Sequence, residues 1–232
     1  MKKAEREEFL KNKLEEMLAY ERALWDSGVS YVAGVDEVGR GPLAGPVCAA
    51  CVVLPHDFDI IGVNDSKKLS EKRRGELYSL IIERADAYGI GLVDNGRIDE
   101  VNILNATKEA MLVAVADASA MLVARMSSDV ADEAVAIGHL LVDALKLPEA
   151  GFPGTAIIKG DEKSVSVAAA SIVAKITRDR IMTEFDSIYP GYAFASNKGY
   201  GTEAHYAGLR KLGQTPIHRR TFLKQTLPYG IK

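Results

Sequence analysis

Residues 31–55 read YVAGVDEVGRGPLAGPVCAACVVLP, two apolar segments on either side of a turn rich in glycine and proline. YVAGVDEV (31–38) predicts a strand ending at a glycine turn, and GPVCAACVVLP (45–55) predicts a second, its antiparallel neighbour. The turn contains Gly39-Arg40-Gly41-Pro42-Leu43-Ala44, which matches the dinucleotide fingerprint G-x-G-x-x-A. That fingerprint must open a helix whose N-terminus faces a pyrophosphate. Here Pro42, Gly45 and Pro46 lead into a second β-rich run, and Asp36 and Glu37 would oppose the phosphates. A nicotinamide or flavin site is therefore rejected. Cys48 and Cys51 have no second cysteine pair. Their odd spacing sends them to opposite faces of a strand, so they are expected to be inert core thiols.

Outward from this pair, strands and helices interleave without a Gly/Ser linker, the pattern of one α/β domain with appended helices. Leu10, Leu14, Met17, Leu18, Leu24 and Trp25 recur at helical spacing, predicting one amphipathic helix over residues 1–27. Ser70 predicts the N-cap of a helix running to Tyr88 and stopped by Gly89. GIGLVD (89–94) reads as a short strand, and 103–126 as a long buried helix. GHLLVDAL (138–145) and TAIIKGD (155–161) read as further buried strands. Ser164 to Tyr189 reads as a second long helix, ended by Pro190. The expected organisation is an N-terminal helical extension (1–30), a core (31–190) and a basic helical C-terminal region of the same domain (191–232).

Acidic residues fall where apolar strands finish: Asp36 and Glu37 after YVAGV, Asp143 after LLV, and Asp161 after IIKG. Neighbouring strand ends form the usual ligand crevice of an open α/β sheet. Carboxylates converging there repel one another unless protons or cations intervene. Oxygen ligands of this kind suit Mg²⁺ or Mn²⁺. Two such ions about 3.5–4 Å apart can activate a water and stabilise the leaving oxygen of a phosphodiester. Each residue also has a simpler reading. Asp36 and Glu37 are adjacent and point to opposite faces of a regular strand, so one site takes both only if the backbone twists or bulges. Asp143 also suits a turn, and Asp161 a helix cap.

The 232 residues are 47% hydrophobic and 26% charged, which excludes a disordered, collagen-like or disulfide-stapled chain. The longest uncharged run, Gly41 to Pro55, is broken by two prolines and is shorter than the ~20 residues of a bilayer span. The N-terminal stretch lacks the apolar core of a signal peptide, so the expected location is the cytoplasm. The net charge of -3 is unevenly divided: from residue 196 onward seven cations face only Glu203, leaving -9 on the rest. Tyr200, His205, Tyr206 and His218 interleave with those cations, and basic residues among aromatics suit a nucleic-acid contact as well as a solvated tail.

Taken together, AGVDEVGRGPLAGPV (33–47), NDSKKLS (64–70), LLVDA (140–144), KGDEKS (159–164), AAASIVAKITRDR (168–180) and NKGYGTEAHYAGLRKLGQTPIHRRTF (197–222) resemble the ribonuclease HII family. The segments run in family order and cover nearly all of residues 31–222. The resemblance implies an RNase H-like α/β fold, with a central mixed five-stranded sheet flanked by helices, a helical C-terminal region and an extra N-terminal helix. It implies metal-dependent cleavage of RNA in RNA/DNA hybrids, and cleavage 5′ of ribonucleotides embedded in duplex DNA, giving 5′-phosphate and 3′-hydroxyl ends. The metal ligands and catalytic residues it implies are Asp36, Glu37, Asp143 and Asp161, with two Mg²⁺ or Mn²⁺ ions. Gly39, Arg40, Gly41 and Tyr200 would recognise the ribonucleotide at its junction with DNA, and Asn64, Ser66 and Lys67 would hold the substrate backbone. A monomer with no membrane contact is expected. Ala144 stands where the family commonly has glycine. Lys175, Arg178 and Asp179 are read as structural, the two cations at helical spacing from neighbouring acids with which they can pair, and His205 and His218 as contacting phosphate or packing locally, outside the catalytic set. The alternative reading is a non-catalytic binder of hybrid duplex.

Overall fold

The computed structural model describes residues 3–126 and 135–226; the outer ends of the expected terminal regions, 1–2 and 227–232, lie outside the described residues. The chain opens with two helices, α1 (Lys3–Met17) and α2 (Ala19–Asp26), where one was expected. They meet at Leu18, whose φ of -79° and ψ of -2° bend the axis without unwinding it. Leu14, Met17 and Leu18 are buried, whereas Phe9 is exposed.

Strands β1 (Val32–Val38) and β2 (Val47–Val53) pair antiparallel without interruption, from Ala33 opposite Val53 to Val38 opposite Cys48. Helix α3 (Glu71–Arg84) follows, its N-cap Ser70 accepting the Arg73 N–H. It stops at Ala85, short of the expected Tyr88, because Tyr88 and Gly89 belong to strand β3 (Ala87–Val93). Alternate burial along AYGIGLV favours a pleated strand there, and the ladder against β2 begins as the Asp86 N–H donates to the Val53 carbonyl. Helix α4 (Asn95–Met126) begins before the expected Ile103 and is kinked at Asn102, with φ 68° and ψ 165°. The Asn102 side chain accepts from the Leu104 and Asn105 amides, so it caps the second segment where a start was expected.

Strands β4 (His139–Asp143) and β5 (Gly154–Ile157) complete a five-stranded mixed sheet of order β3-β2-β1-β4-β5. β1, β4 and β5 run parallel, and β2 and β3 antiparallel to their neighbours. The expected strand to Asp161 ends at Ile157, because Lys159 adopts a left-handed φ of 57° and turns the chain into the short helix α5 (Gly160–Lys163). Asp161 thus sits on a helical turn beyond the strand.

Helix α6 (Val165–Ile188) then crosses the sheet, capped by Ser164, which accepts the Val167 N–H. It lies so close to β1 that a Cβ at Gly34 would stand 2.0 Å from the Ser166 carbonyl carbon. One sheet face packs Ala33, Val35, Ala49 and Cys51 against α4; the other packs Cys48, Ala50 and Val52 against α3 and α6. Each leucine or isoleucine removed from water in these layers contributes about 1.5–3 kcal/mol. Cys48 and Cys51 fall on opposite faces as expected, and burial pushes the Cys48 thiol up to about 12. Helices α7 (Phe194–Asn197), α8 (Glu203–Leu212) and α9 (Arg220–Thr226) gather Leu43, Ala44, Met182, Phe194, Leu209 and Leu223 into a separate core. That core places the C-terminal region over the loop that leaves β1.

Candidate active site

Parallel pairing of β1 with β4 runs to Val35 opposite Val142, so Asp36 and Asp143 follow side by side, one residue further on. β1 continues past this point with its β4 side open. One oxygen each of Asp36, Glu37 and Asp143 lie within 4.8 Å of one another. No bulge is involved, because the β1–β2 register is unbroken through Asp36 opposite Ala50 and Glu37 opposite Ala49. The longer glutamate arm at the open edge brings the adjacent residue into the same site.

The electrostatics are those of clustered negative charge, offset only in part by Arg40 and Lys67. Asp36 is 5% exposed, and burial, then the charges of Glu37 and Asp143, raise its pKa well above the ordinary carboxylate range. Hydrogen bonds from the Ser171 hydroxyl and the Glu37 amide oppose this. Burial also raises Glu37, against the opposing charge and hydrogen bond of Arg40. Glu37 Oε1 accepts from Arg40 Nη1 at 3.3 Å, and Glu37 Oε2 is buried with no partner. Asp143 Oδ1 accepts the Gly160 amide at 2.7 Å, which ties the end of β4 to the turn carrying Asp161.

Asp161 is brought to this cluster but stands outside the 4.8 Å triad. Burial, then Asp65 and Asp143, raise its pKa. Lys67 links the two parts: burial pulls its pKa down, but the charges of Asp161, Asp65, Asp36 and Asp143 hold it above the ordinary lysine value. The buried Asp65, missed in the sequence, caps the turn by accepting the Lys67 amide. Hard carboxylate oxygens, one of them an orphaned buried atom, fit a divalent cation.

The remaining expected residues surround this cluster. Gly39, Arg40 and Gly41 form the loop leaving β1, with no helix after them, so the dinucleotide fingerprint is a decoy as read. Tyr200 is 43% exposed, and its ring lies 3.6 Å from where a Cβ of Gly41 would stand. Asn64 accepts the Asp65 amide. Ser66 is buried, its hydroxyl 3.0 Å from that of Ser171, so its side chain reaches Asp36 through Ser171 and faces inward.

Lys175 pairs with Asp179 at 2.7 Å, as its helical spacing suggested, whereas Arg178 turns inward to backbone carbonyls instead of a neighbouring acid. His205 and His218 pack on each other. The basic C-terminal segment exposes less charge than its sequence carries, because Arg219 is buried and Arg210 pairs with Glu203.

The ribonuclease HII family profile matches residues 33–225. A ribonuclease HII of Caldanaerobacter subterraneus subsp. tengcongensis is 49% identical over 215 residues, covering 93% of this chain and 83% of the relative. One of Ligilactobacillus salivarius is 51% identical over 222 residues, covering 96% and 80%. The crystal structure of ribonuclease H2 from Pyrococcus horikoshii superposes with a TM-score of 0.62 at 28% identity, covering 84% of this chain and 96% of that one. With acidic residues gathered where β1 and β4 end and this likeness along nearly its whole length, the chain belongs to the ribonuclease HII family and is a ribonuclease H enzyme.

Proposed function

We propose that the chain hydrolyses RNA within RNA/DNA hybrids and cuts 5′ of single ribonucleotides embedded in duplex DNA, leaving 5′-phosphate and 3′-hydroxyl ends. The observation that carries this reading is the convergence of Asp36, Glu37 and Asp143 within 4.8 Å, with Asp161 beside them. These four would hold Mg²⁺ or Mn²⁺. Bound there, the cations supply Lewis-acid activation of water and neutralise charge on the leaving oxygen; the protein then needs no side-chain nucleophile.

What the chain's own residues do follows from their places. Asp36 and Asp143 are held by neighbouring amides, of Glu37 and Gly160, so their free oxygens are oriented before substrate arrives. Lys67 offsets part of the acidic field that would otherwise repel a polyanion. The exposed Arg40 and Gly41 present backbone and guanidinium groups to sugar and phosphate. The 2′-hydroxyl separates RNA from DNA, and Tyr200, whose ring lies beside Gly41, would stack on the adjacent deoxyribose. Asn64, Ser66 and Lys67 form the turn that holds the flanking strand. We assign residues 1–30 to an extension, 31–190 to the catalytic core and 191–232 to a duplex-holding region. The enzyme is taken to act as a cytoplasmic monomer in DNA replication and repair.

The test is a duplex with one ribonucleotide, incubated with Mg²⁺ or Mn²⁺, with and without chelator, for the wild type and Asp143→Asn. Metal-dependent cutting 5′ of the ribonucleotide, lowered in the variant by about 10²-fold or more, is expected. Metal-independent cutting, or equal cutting of all-DNA duplex, would overturn the reading. Unchanged binding without any cleavage by wild type would favour a non-catalytic binder.

A further inference from the structure

Two arginines far apart in sequence, Arg178 on α6 and Arg219 just before α9, are both fully buried. Among the described residues, all their hydrogen bonds go to backbone carbonyls. Arg178 donates to Ala44, Pro46 and Lys198, and Arg219 to Gly39, Arg40 and Gly45. Five of these six acceptors lie in the loop between β1 and β2, and the sixth lies in the segment that carries Tyr200. Arg178 therefore ties the loop after β1 to the segment carrying Tyr200, and the Leu43 N–H, donating to the Gly199 carbonyl, stitches the same two segments.

Such an arrangement costs stability. Burial lowers the pKa of both guanidiniums, and for Arg219 the like charge of Arg178 lowers it further. Well-packed apolar residues fill a core at lower cost than buried ions, so filling space does not account for the pair. A planar fork of donors does what an apolar side chain cannot, gripping several carbonyls at fixed angles. Gly39 fits the same design: its φ is +96°, and any Cβ would stand 2.3 Å from Arg178 Nε. The loop's amides divide accordingly. Those of Leu43 and Gly45 are consumed inside, by Gly199 and Ile217. Among the described residues, the amides of the exposed Arg40 and Gly41 make no hydrogen bond.

We propose that Arg178 and Arg219 are positioning residues for ribonucleotide recognition, holding the loop carbonyls inward so that the Arg40 and Gly41 amides face the substrate at a set distance from Tyr200. This rests on the reading that residues 39–41 contact the ribonucleotide.

The test compares the full-length wild type with Arg219→Lys, Arg178→Lys and Arg40→Ala. Each is assayed for kcat and KM on a single-ribonucleotide duplex and on a continuous RNA/DNA hybrid, alongside Mn²⁺ binding by calorimetry and urea unfolding. Both lysine variants keep the charge and lose the fork. They are expected to lower kcat/KM on the single-ribonucleotide duplex about tenfold or more relative to the hybrid, with Mn²⁺ affinity unchanged; misplacing a positioned group by about 1 Å can cost about 10²-fold. A structural role alone would lower the unfolding midpoint and leave the substrate ratio at its wild-type value, which would overturn the inference. If Arg40→Ala leaves single-ribonucleotide cleavage unchanged, the reading of the loop fails and the inference falls with it. If Arg40→Ala impairs that cleavage while both folded lysine variants retain the wild-type ratio, the inference alone fails. Should one lysine variant not fold, the other decides, with amide exchange at Arg40 and Gly41 expected to quicken. Failure of both to fold would assign the pair to stability and also overturn the inference.

Discussion

The imidazoles of His205 and His218 meet edge to edge, Nε2 to Nε2 at 3.0 Å, both buried among Tyr192 and Phe194. Their outer bonds determine the tautomers. His205 Nδ1 faces the Tyr200 carbonyl and must donate, whereas His218 Nδ1 receives the Thr215 amide and must accept. His218 therefore donates through Nε2 and His205 accepts, an arrangement only two neutral rings allow.

Burial lowers the pKa of both rings, and that of His218 falls to about 4, helped by His205. Between that value and the ordinary 6.5 the unfolded chain binds more protons, so stability rises with pH across this window. The pair's contribution is complete above about pH 6.5 and is lost as pH falls toward 4. Urea unfolding from pH 7.5 to 4.5 should show a steeper loss for wild type than for His218→Asn. Parallel profiles would contradict this.

Glu21 is buried on α2, its Oε1 accepting the Ser164 hydroxyl at 2.6 Å and the Ser166 amide at 2.9 Å. It thus places a carboxyl acceptor at the N-terminus of α6, where unpaired amides need one, while burial raises its pKa against those hydrogen bonds. Glu21→Ala leaves those two donors unsatisfied and should destabilise by about 2–4 kcal/mol; Glu21→Gln, which keeps an acceptor, should lose less. Denaturant midpoints separate the two. Equal losses would remove the hydrogen-bond explanation.

Gly34→Ala would set a methyl 2.0 Å from the backbone of α6, at Ser166. Neither strand nor helix backbone can yield locally, so a loss of about 3 kcal/mol or an insoluble protein is expected. A fully stable alanine variant would mean that α6 stands further from β1 than described.

Ala144, directly after Asp143, has a left-handed φ of 52°. An L-residue there costs about 1–2 kcal/mol, against the roughly 0.5–1 kcal/mol of extra chain entropy that glycine loses on folding. Ala144→Gly should therefore stabilise by up to about 1 kcal/mol in urea titration. The turn does not depend on glycine, because the Ala144 amide is anchored to the Ile157 carbonyl at 3.0 Å.

Much of this molecule was legible in its residues. Apolar runs punctuated by Gly, Pro and capping serines mark strands and helix starts through local backbone preferences, which is why β1, β2, the Ser70 cap and the span of α6 stand where the chain implied. Acids that follow apolar runs mark a candidate site; Asp36, Glu37 and Asp143 were picked out on that ground and the fold gathers them, although β1 runs on to Val38, so that Asp36 and Glu37 lie within it and Asp36 is buried. Asp161 was placed on a strand end and lies on a helical turn, since one left-handed residue, Lys159, redirected the chain. The α3 boundary escaped notice for a related reason, that helix and strand compete over a few residues and the sheet partner decides, whereas the bend at Leu18 leaves the apolar spacing of α1 and α2 unbroken and so has no mark in the pattern.

What no pattern of neighbours could supply is the set of buried ions. Arg219 reaches the Gly39 carbonyl across 180 positions, Arg178 the Pro46 carbonyl across 132, and Glu21 the Ser166 amide across 145. Backbone carbonyls and amides occur at nearly every residue and so leave no signature of which one a distant side chain will meet. The chain alone determined its strands, its family and its acids. Only the tertiary structure decided which charges are spent inside to hold the loop and the long helix in place, because that choice depends on three-dimensional proximity after the sheet has closed.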